Sequence, residues 1–388
     1  MTDPVLVTLE GRVGRLTLNR PEALHALTLG MCQIMTDALL GWRDDPAVEL
    51  VLLDHTGPRG FCAGGDIRML AESGAGDGDE ARAFFHLEYQ LNHLLMDYPK
   101  PVVALMDGVV MGGGVGIALP ARYRVATERT TFAMPETGIG LFPDVGGGWH
   151  LPRLAGQTGY WLALTGARIK AADCLALGLA THYVESSRLE ALKADLLAAQ
   201  GSDRIGASLA AHASGPGPSP LEPHRTILDA CFSAPTVEAV MERLERDDSD
   251  WAKAQHTALQ TKSPQTLKVA LRQLQTGAAL TDFADNMAME YRIGARVVQR
   301  HDFLEGVRAV IIDKDNDPKW SPATLEEVDE ALLEAIFAPL PADQEWTPLT
   351  GPIQRASSSV QASIDAKNNQ TLNAIHSGTF PDQSPKIE

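Results

Sequence analysis

The chain has 388 residues, 44% of them hydrophobic and 21% charged, with a formal net charge of −17. That acidic balance excludes nucleic acid and an anionic membrane surface as main partners, and no run of about 18 or more apolar residues offers a membrane span. The start, Met1-Thr2-Asp3-Pro4, lacks the basic and apolar segments of a signal peptide, so a cytoplasmic location is expected. Cys32, Cys62, Cys174 and Cys231 show no CxxC spacing and read as buried free thiols in a reducing compartment.

Residues 5–9 and 13–18 are alternating β-formers joined at Glu10-Gly11-Arg12, which predicts a hairpin. Thr28 is placed to cap a helix whose Met31, Ile34, Met35, Ala38, Leu39 and Trp42 share one face. The apolar run 48–53 predicts a fully buried strand, and 101–106 repeats it after a helix over 84–97. A third run, 123–126, leads into Thr131-Phe132-Ala133-Met134. Strand, helix, strand is the pattern of an α/β unit with a mostly parallel sheet. Around Gly156 the strand signal gives way to helices. Ser263-Pro264 predicts a capped helix start and Gly277 its end. Asp302-Phe303-Leu304-Glu305 reads as a capping box before Val310-Ile311-Ile312. From Pro339 the composition turns to Pro, Ser, Asn and Gln, as in a flexible tail. The expected organisation is an α/β core over 1–200, a helical region over 201–335 and a tail over 336–388.

Two glycine-rich loops follow buried strands: Phe61-Cys62-Ala63-Gly64-Gly65-Asp66, and 107–116 with Gly112-Gly113-Gly114-Val115-Gly116. The carboxyl ends of strands are where α/β sheets bind ligands. Each loop opens into a helix, so free amides there could converge on one oxygen and hold developing negative charge. Taken singly, such loops can equally serve tight packing. A dinucleotide site is excluded by the late position of the second loop, and no GxxxxGK[ST] or Gly-x-Ser-x-Gly segment occurs. The histidines at 86, 93 and 150 have no ligand spacing, so no metal is expected.

Asn19-Arg20-Pro21, the segment 61–66 and the triplet 112–114 resemble, in order and spacing, the enoyl-CoA hydratase/isomerase (crotonase) superfamily. The resemblance implies an α/β, ClpP/crotonase-like spiral of ββα units with a helical C-terminal region, usually trimeric or hexameric. It implies an acyl-CoA substrate and no separate cofactor, coenzyme A being part of that substrate. It assigns an oxyanion hole to the amides of Ala63 and Gly113, places the 61–66 loop against the CoA adenine, and makes Gly64, Gly65 and Asp66 substrate-binding residues. His25 stands where the family generally has asparagine, and is expected to affect only turn packing.

Hydratases of this family use two glutamates. The first position is Gly116 here, without a carboxylate; the second matches Glu136 in Met134-Pro135-Glu136. Adding water to a double bond needs both an acid and a base, and half of that pair is missing. A different second acid, Asp144, lies in Phe142-Pro143-Asp144-Val145-Gly146-Gly147-Gly148, where it could also be a helix cap. The whole stretch 132–148 is similar to the thioesterase branch of the superfamily, and the likeness covers roughly residues 5–330. It carries substrate contact to Glu88, Gly113, Glu136 and Asp144, although Glu88 by itself reads as a solvated helix charge. The expected activity is hydrolysis of a 3-hydroxyacyl-CoA, with Glu136 as nucleophile or base and Asp144 orienting hydroxyl and water. A hydratase or isomerase on the same fold is the alternative, and a non-catalytic CoA-binding protein a third. The extended C-terminal segment either makes subunit contacts or folds back over the site.

Overall fold

Two sheets share the chain, because each repeat lays one strand in the first and a short strand in the second. The computed structural model describes residues 3–198 and 201–349, less the side chains at 202 and 203. The strands are β1 (Val5–Glu10), β2 (Val13–Leu18), β3 (Leu50–His55), β4 (Gly60–Cys62), β5 (Val102–Met106), β6 (Val109–Met111), β7 (Tyr123–Ala126), β8 (Thr131–Ala133), β9 (Ile169–Lys170) and β10 (His182–Tyr183). The larger sheet runs β1-β2-β3-β5-β7-β10 and the smaller β4-β6-β8-β9. All neighbours are parallel except the β1–β2 hairpin and the β8–β9 pair. This is the expected spiral of ββα units. Two short strands, β9 and β10, fall beyond Gly156, where the sequence shows only helical signal.

The apolar runs do what their patterning predicts. Val51, Leu52 and Leu53 of β3 are fully buried, as are Val103 and Ala104 of β5. One face of the large sheet, through Val13, Leu50, Leu52, Val103, Leu105 and Val125, packs on Leu189, Leu192, Leu196, Ile205 and Leu209. Thr28 caps the helix Leu29–Arg43 by accepting from Met31 N–H, and that helix packs on the helix Asp79–Met96. All four cysteines are buried and free. Among the described residues no helix is long and apolar enough to cross a membrane.

The C-terminal helices fold back onto the spiral of their own chain. Ser263 caps the helix Pro264–Ala279 as expected. Gly277 does not end it. It lies inside the last turn, where a Cβ would come within 2.0 Å of the Gly148 carbonyl oxygen, so close backbone approach explains this glycine. Asp302 is likewise no cap: the helix His301–Val307 starts after Arg300 without a side-chain cap. Asp302 is fully buried instead, accepting from Ser263 Oγ at 2.5 Å and the Ser321 amide at 2.7 Å.

The expected tail over 336–388 is corrected where it is described. The helix Glu330–Phe337 crosses its start, Trp346 is buried with its indole N–H on the His86 carbonyl, and Glu345 pairs with Arg292. The tryptophan, the ion pair and the bonds from Gln90 to Thr347 O and from Arg296 to Pro339 O hold a segment whose composition looked unable to pack. Residues 350–388 lie outside the described residues. Through Pro348 the chain packs as one unit.

Candidate active site

The first glycine loop continues β4. Its direction is set by the segment before it: Leu27 N–H donates to Gly64 O at 2.8 Å, and Asp66 N–H donates to Leu27 O at 2.9 Å. In an extended chain successive residues face opposite sides, so Gly64 and Asp66 face Leu27 and the Gly65 N–H faces away. Gly64 has φ +121°, which sharpens the turn. The Ala63 amide is spent, donating to Leu24 O at 3.0 Å. This corrects the expected donor: among the described residues the loop's amides without a partner are those of Gly64 and Gly65. Asp66 caps the helix Ile67–Gly74, accepting from Met69 N–H, and sits 3.6 Å from the Arg20 guanidinium. It does not line the cavity.

The second loop leaves β6 and enters the short helix Gly113–Ala118. Gly113 is its first residue, so its N–H has no intrahelical partner. The two loops touch: a Cβ on Gly64 would lie 3.8 Å from Gly113 N, and one on Gly112 only 3.2 Å from both Gly64 Cα and Glu136 Oε1. The His25 turn supports this contact from behind. His25 Nδ1 accepts from Arg20 N–H, so Nε2 carries the proton toward Thr56 O, and burial lowers the pKa of the neutral ring. Its role is turn packing, as expected.

Opposite the loops stand three carboxyl groups. Glu88, Glu136 and Asp144 are all buried, at 2%, 5% and 5% exposure, and all three line one cavity with Ala63, Gly64, Gly65 and Gly113. Glu88 thus points inward from the helix Asp79–Met96, against its reading as a solvated charge. Its Oε1 and Glu136 Oε2 have no hydrogen-bond partner among the described residues. Burial pushes the Glu136 and Glu88 carboxyls well above the ordinary range, and the nearby Asp144 adds to both shifts. Asp144 rises to about 7, again through burial, opposed by the Tyr89 hydroxyl, which donates to Oδ2 at 2.8 Å. Like charges this close cannot all ionise. Burial therefore favours the protonated form of all three acids, and each charge that forms makes the next harder to form.

Position 116 is closed as well as uncharged. A Cβ there would meet Val145 Cβ at 2.6 Å and Asn92 Nδ2 at 2.8 Å. The cavity measures about 70 Å³, far below the roughly 300–1,000 Å³ of drug-sized pockets, so it suits the acyl end of a small substrate. Apolar side chains, among them Leu70, Phe84 and Leu141, complete its walls. Lys262 Nζ lies 3.3 Å from the Cβ position of Gly138, one residue from the lining residue Ile139. Its ammonium pKa is lowered by burial and then by Arg168, and among the described residues neither cation has an ion pair.

Tyr89, Asn92, Gln273 and Glu290 surround the acids and escaped the sequence reading. Glu290 lies on a helix face with Met287, Ile293, Gly294 and Val297, all buried. An acid on such a face was the available signal.

Paired glycine amides at the ends of parallel strands, facing a desolvated acid pair across a small cavity, define an acyl-transfer site of the crotonase type. The chain belongs to the enoyl-CoA hydratase/isomerase family, whose model matches residues 13–337. The human mitochondrial 3-hydroxyisobutyryl-CoA hydrolase is 45% identical over 345 residues, covering 87% of this chain and 89% of that protein. The Gallus gallus protein of the same name is 43% identical over 343 residues, with 87% and 89% covered. Among solved structures, a carnitinyl-CoA dehydratase from Mycobacterium thermoresistibile superposes with TM-score 0.85 at 43% identity, covering 89% of this chain and 99% of that one. An enoyl-CoA hydratase from Rhodobacter sphaeroides 2.4.1 gives 0.82 at 40%, covering 89% and 100%.

Proposed function

We propose that the protein hydrolyses 3-hydroxyisobutyryl-CoA, or a close short-chain 3-hydroxyacyl-CoA, to the free acid and coenzyme A, a step of valine breakdown. The observation that carries this reading is the site's asymmetry. Free glycine amides face one desolvated pair, Glu136 and Asp144, while position 116, the other acid site of a hydratase, is filled by Val145 and Asn92. Hydration needs an acid and a base on one water. Thioester cleavage needs less, because a thiol of pKa near ~8.5 leaves as thiolate without strong acid help.

The thioester oxygen sits between the N–H groups of Gly65 and Gly113, which take up its charge as the tetrahedral intermediate forms. Water attacks the carbonyl carbon, and its proton passes to the Glu136–Asp144 pair, which acts in its singly charged form. The C–S bond then breaks, and the pair returns the proton to the departing sulfur. In a covalent route Glu136 first passes its proton to Asp144, then attacks the carbonyl carbon and expels the thiolate to give an anhydride, which water opens to the same products. Glu88, whose protonated form burial favours, donates to the 3-hydroxyl. The unpaired cations Lys262 and Arg168 suit the phosphates of coenzyme A, and the four free thiols suit a reducing compartment such as the cytoplasm.

The test follows free thiol from 3-hydroxyisobutyryl-CoA and loss of enoyl absorbance from crotonyl-CoA. Thiol release without enoyl loss is expected. Enoyl loss without thiol release overturns the reading in favour of hydration, and silence in both leaves a binding protein.

A further inference from the structure

We infer that Glu290, 146 positions after Asp144 in sequence and outside the cavity lining, is a positioning residue that fixes the direction of the Asp144 carboxylate. The inference rests on the hydrolase reading for its kinetic arm only. Glu290 is fully buried. Its Oε2 accepts from Gly146 N–H at 2.7 Å, and its Oε1 accepts from Gly148 N–H at 2.8 Å, Asn286 Nδ2 at 2.9 Å and Gln273 Nε2 at 3.0 Å. Gln273 Nε2 also donates to Pro143 O at 2.7 Å. The two helices Pro264–Ala279 and Phe283–Val297 therefore grip the loop at 143, 146 and 148, on both sides of Asp144.

The grip is needed because the loop between these anchors is strained. Val145 has φ +52° and Gly146 φ +89°. A β-branched residue in the left-handed region is an outlier that persists only when its surroundings impose it. Left-handed turns turn successive amides toward one point, which makes a concave acceptor seat; the Glu290 carboxyl occupies it, and burial pushes its pKa up to about 8 against the pull of the Gly146, Asn286 and Gly148 donors. The anchored turn sends Val145 toward Gly116 and Asp144 toward Tyr89. Without the carboxyl at its centre the loop has no reason to keep Val145 left-handed, and Asp144 loses its aim.

Glu290→Gln keeps the shape of the side chain but turns one acceptor into a donor facing a glycine N–H. We expect kcat for thiol release to fall about 100-fold, the scale of a misplacement near 1 Å, with KM changed less than about threefold. Gln273→Leu removes the Pro143 anchor and one donor to Glu290 Oε1, leaves the Gly146 and Gly148 bonds in place, and is expected to cost about tenfold in kcat. A crystal structure of Glu290→Gln is expected to show the Tyr89–Asp144 hydrogen bond broken. Wild-type kcat in either folded variant overturns the inference, and so does an unmoved Asp144 in that structure. A wild-type protein that releases no thiol defeats the hydrolase reading instead, and the crystallographic arm then decides the positioning role by itself. Should Glu290→Gln fail to fold, Gln273→Leu carries both measurements.

Discussion

The two walls of the cavity are built in opposite ways. The donor wall is main chain: the amides of Gly65 and Gly113 are aimed by loops that finish β4 and β6, and their nearest supports, Leu24 and Leu27, lie less than a hundred residues away. The acid wall is side chain: Glu136 and Asp144 depend on burial, on Tyr89, and on Glu290 and Gln273 from the C-terminal helices. Backbone donors need no particular protonation state, so the donor wall should respond to shape alone. The acid wall should respond to pH, and its parts should trade stability against activity.

The largest effect is expected on the acid wall. Glu136→Ala should lower kcat about 10²–10⁴-fold, the range for loss of a positioned acid–base group, read as thiol release at saturating substrate. Turnover near wild type would remove Glu136 from the reaction. Gly113→Ala probes the other wall. The new Cβ would stand 2.5 Å from Glu88 Oε1, 3.1 Å from Leu27 Cδ1 and 3.2 Å from the Gly64 carbonyl carbon, so the amide must shift. Losing one oxyanion donor costs about 10²–10³ in kcat, and here the loss should be the same at every pH. A pH-dependent loss would break the distinction between the walls.

Tyr89→Phe should act in the contrary manner. The hydroxyl favours the ionised form of Asp144, so its removal makes the acid wall harder to charge. The acid limb of the kcat–pH profile, expected near 7 in the wild type, should move up by about one unit, as loss of a charge-assisted hydrogen bond would require. Activity at pH 7 then falls about fivefold, as the ionised fraction drops from about one half to about one tenth, and recovers by pH 9. A uniform loss with no shift of the limb would mean that Tyr89 only packs.

The same contrast decides what could be read from the sequence. The strands and both glycine loops were legible because an apolar run, a turn and a helix cap are local patterns. Even there the sequence gives residue types and no direction for an N–H, which is why Ala63 was taken for the donor that hydrogen bonding to Leu24 excludes. Glu136 and Asp144 could be found through the resemblance of the 132–148 stretch. The inward aim of Glu88 was carried by helix periodicity, since Phe84, Phe85, Leu91 and Leu95 share its face, but an acid with the polar Gln90 and Asn92 close by in sequence reads first as a solvated charge. Glu290 was hidden because its partners are glycine amides more than 140 positions away, and an amide has no signature in a sequence. The packed segment around Trp346 was masked by the low-complexity composition beside it.

The smallest and most diagnostic effect concerns stability. Asp144 ordinarily titrates near 3.8 and in the folded protein at about 7. Below pH 3.8 both states hold the proton and nothing differs. Between 3.8 and 7 the unfolded chain releases a proton that the folded chain keeps, so the wild type loses stability as pH rises through this window. Asparagine carries no charge at any pH, and its amide N–H can donate toward the unpartnered oxygens of Glu88 and Glu136. Asp144→Asn should therefore melt with the wild type at pH 4 and above it at pH 8. The gain should be a few kcal/mol at most, from about 1.4 kcal/mol per pKa unit, while thiol release is largely lost. Equal melting temperatures at pH 8 would mean that the folded site charges Asp144 as easily as water does. The acid wall would then be no more strained than the donor wall.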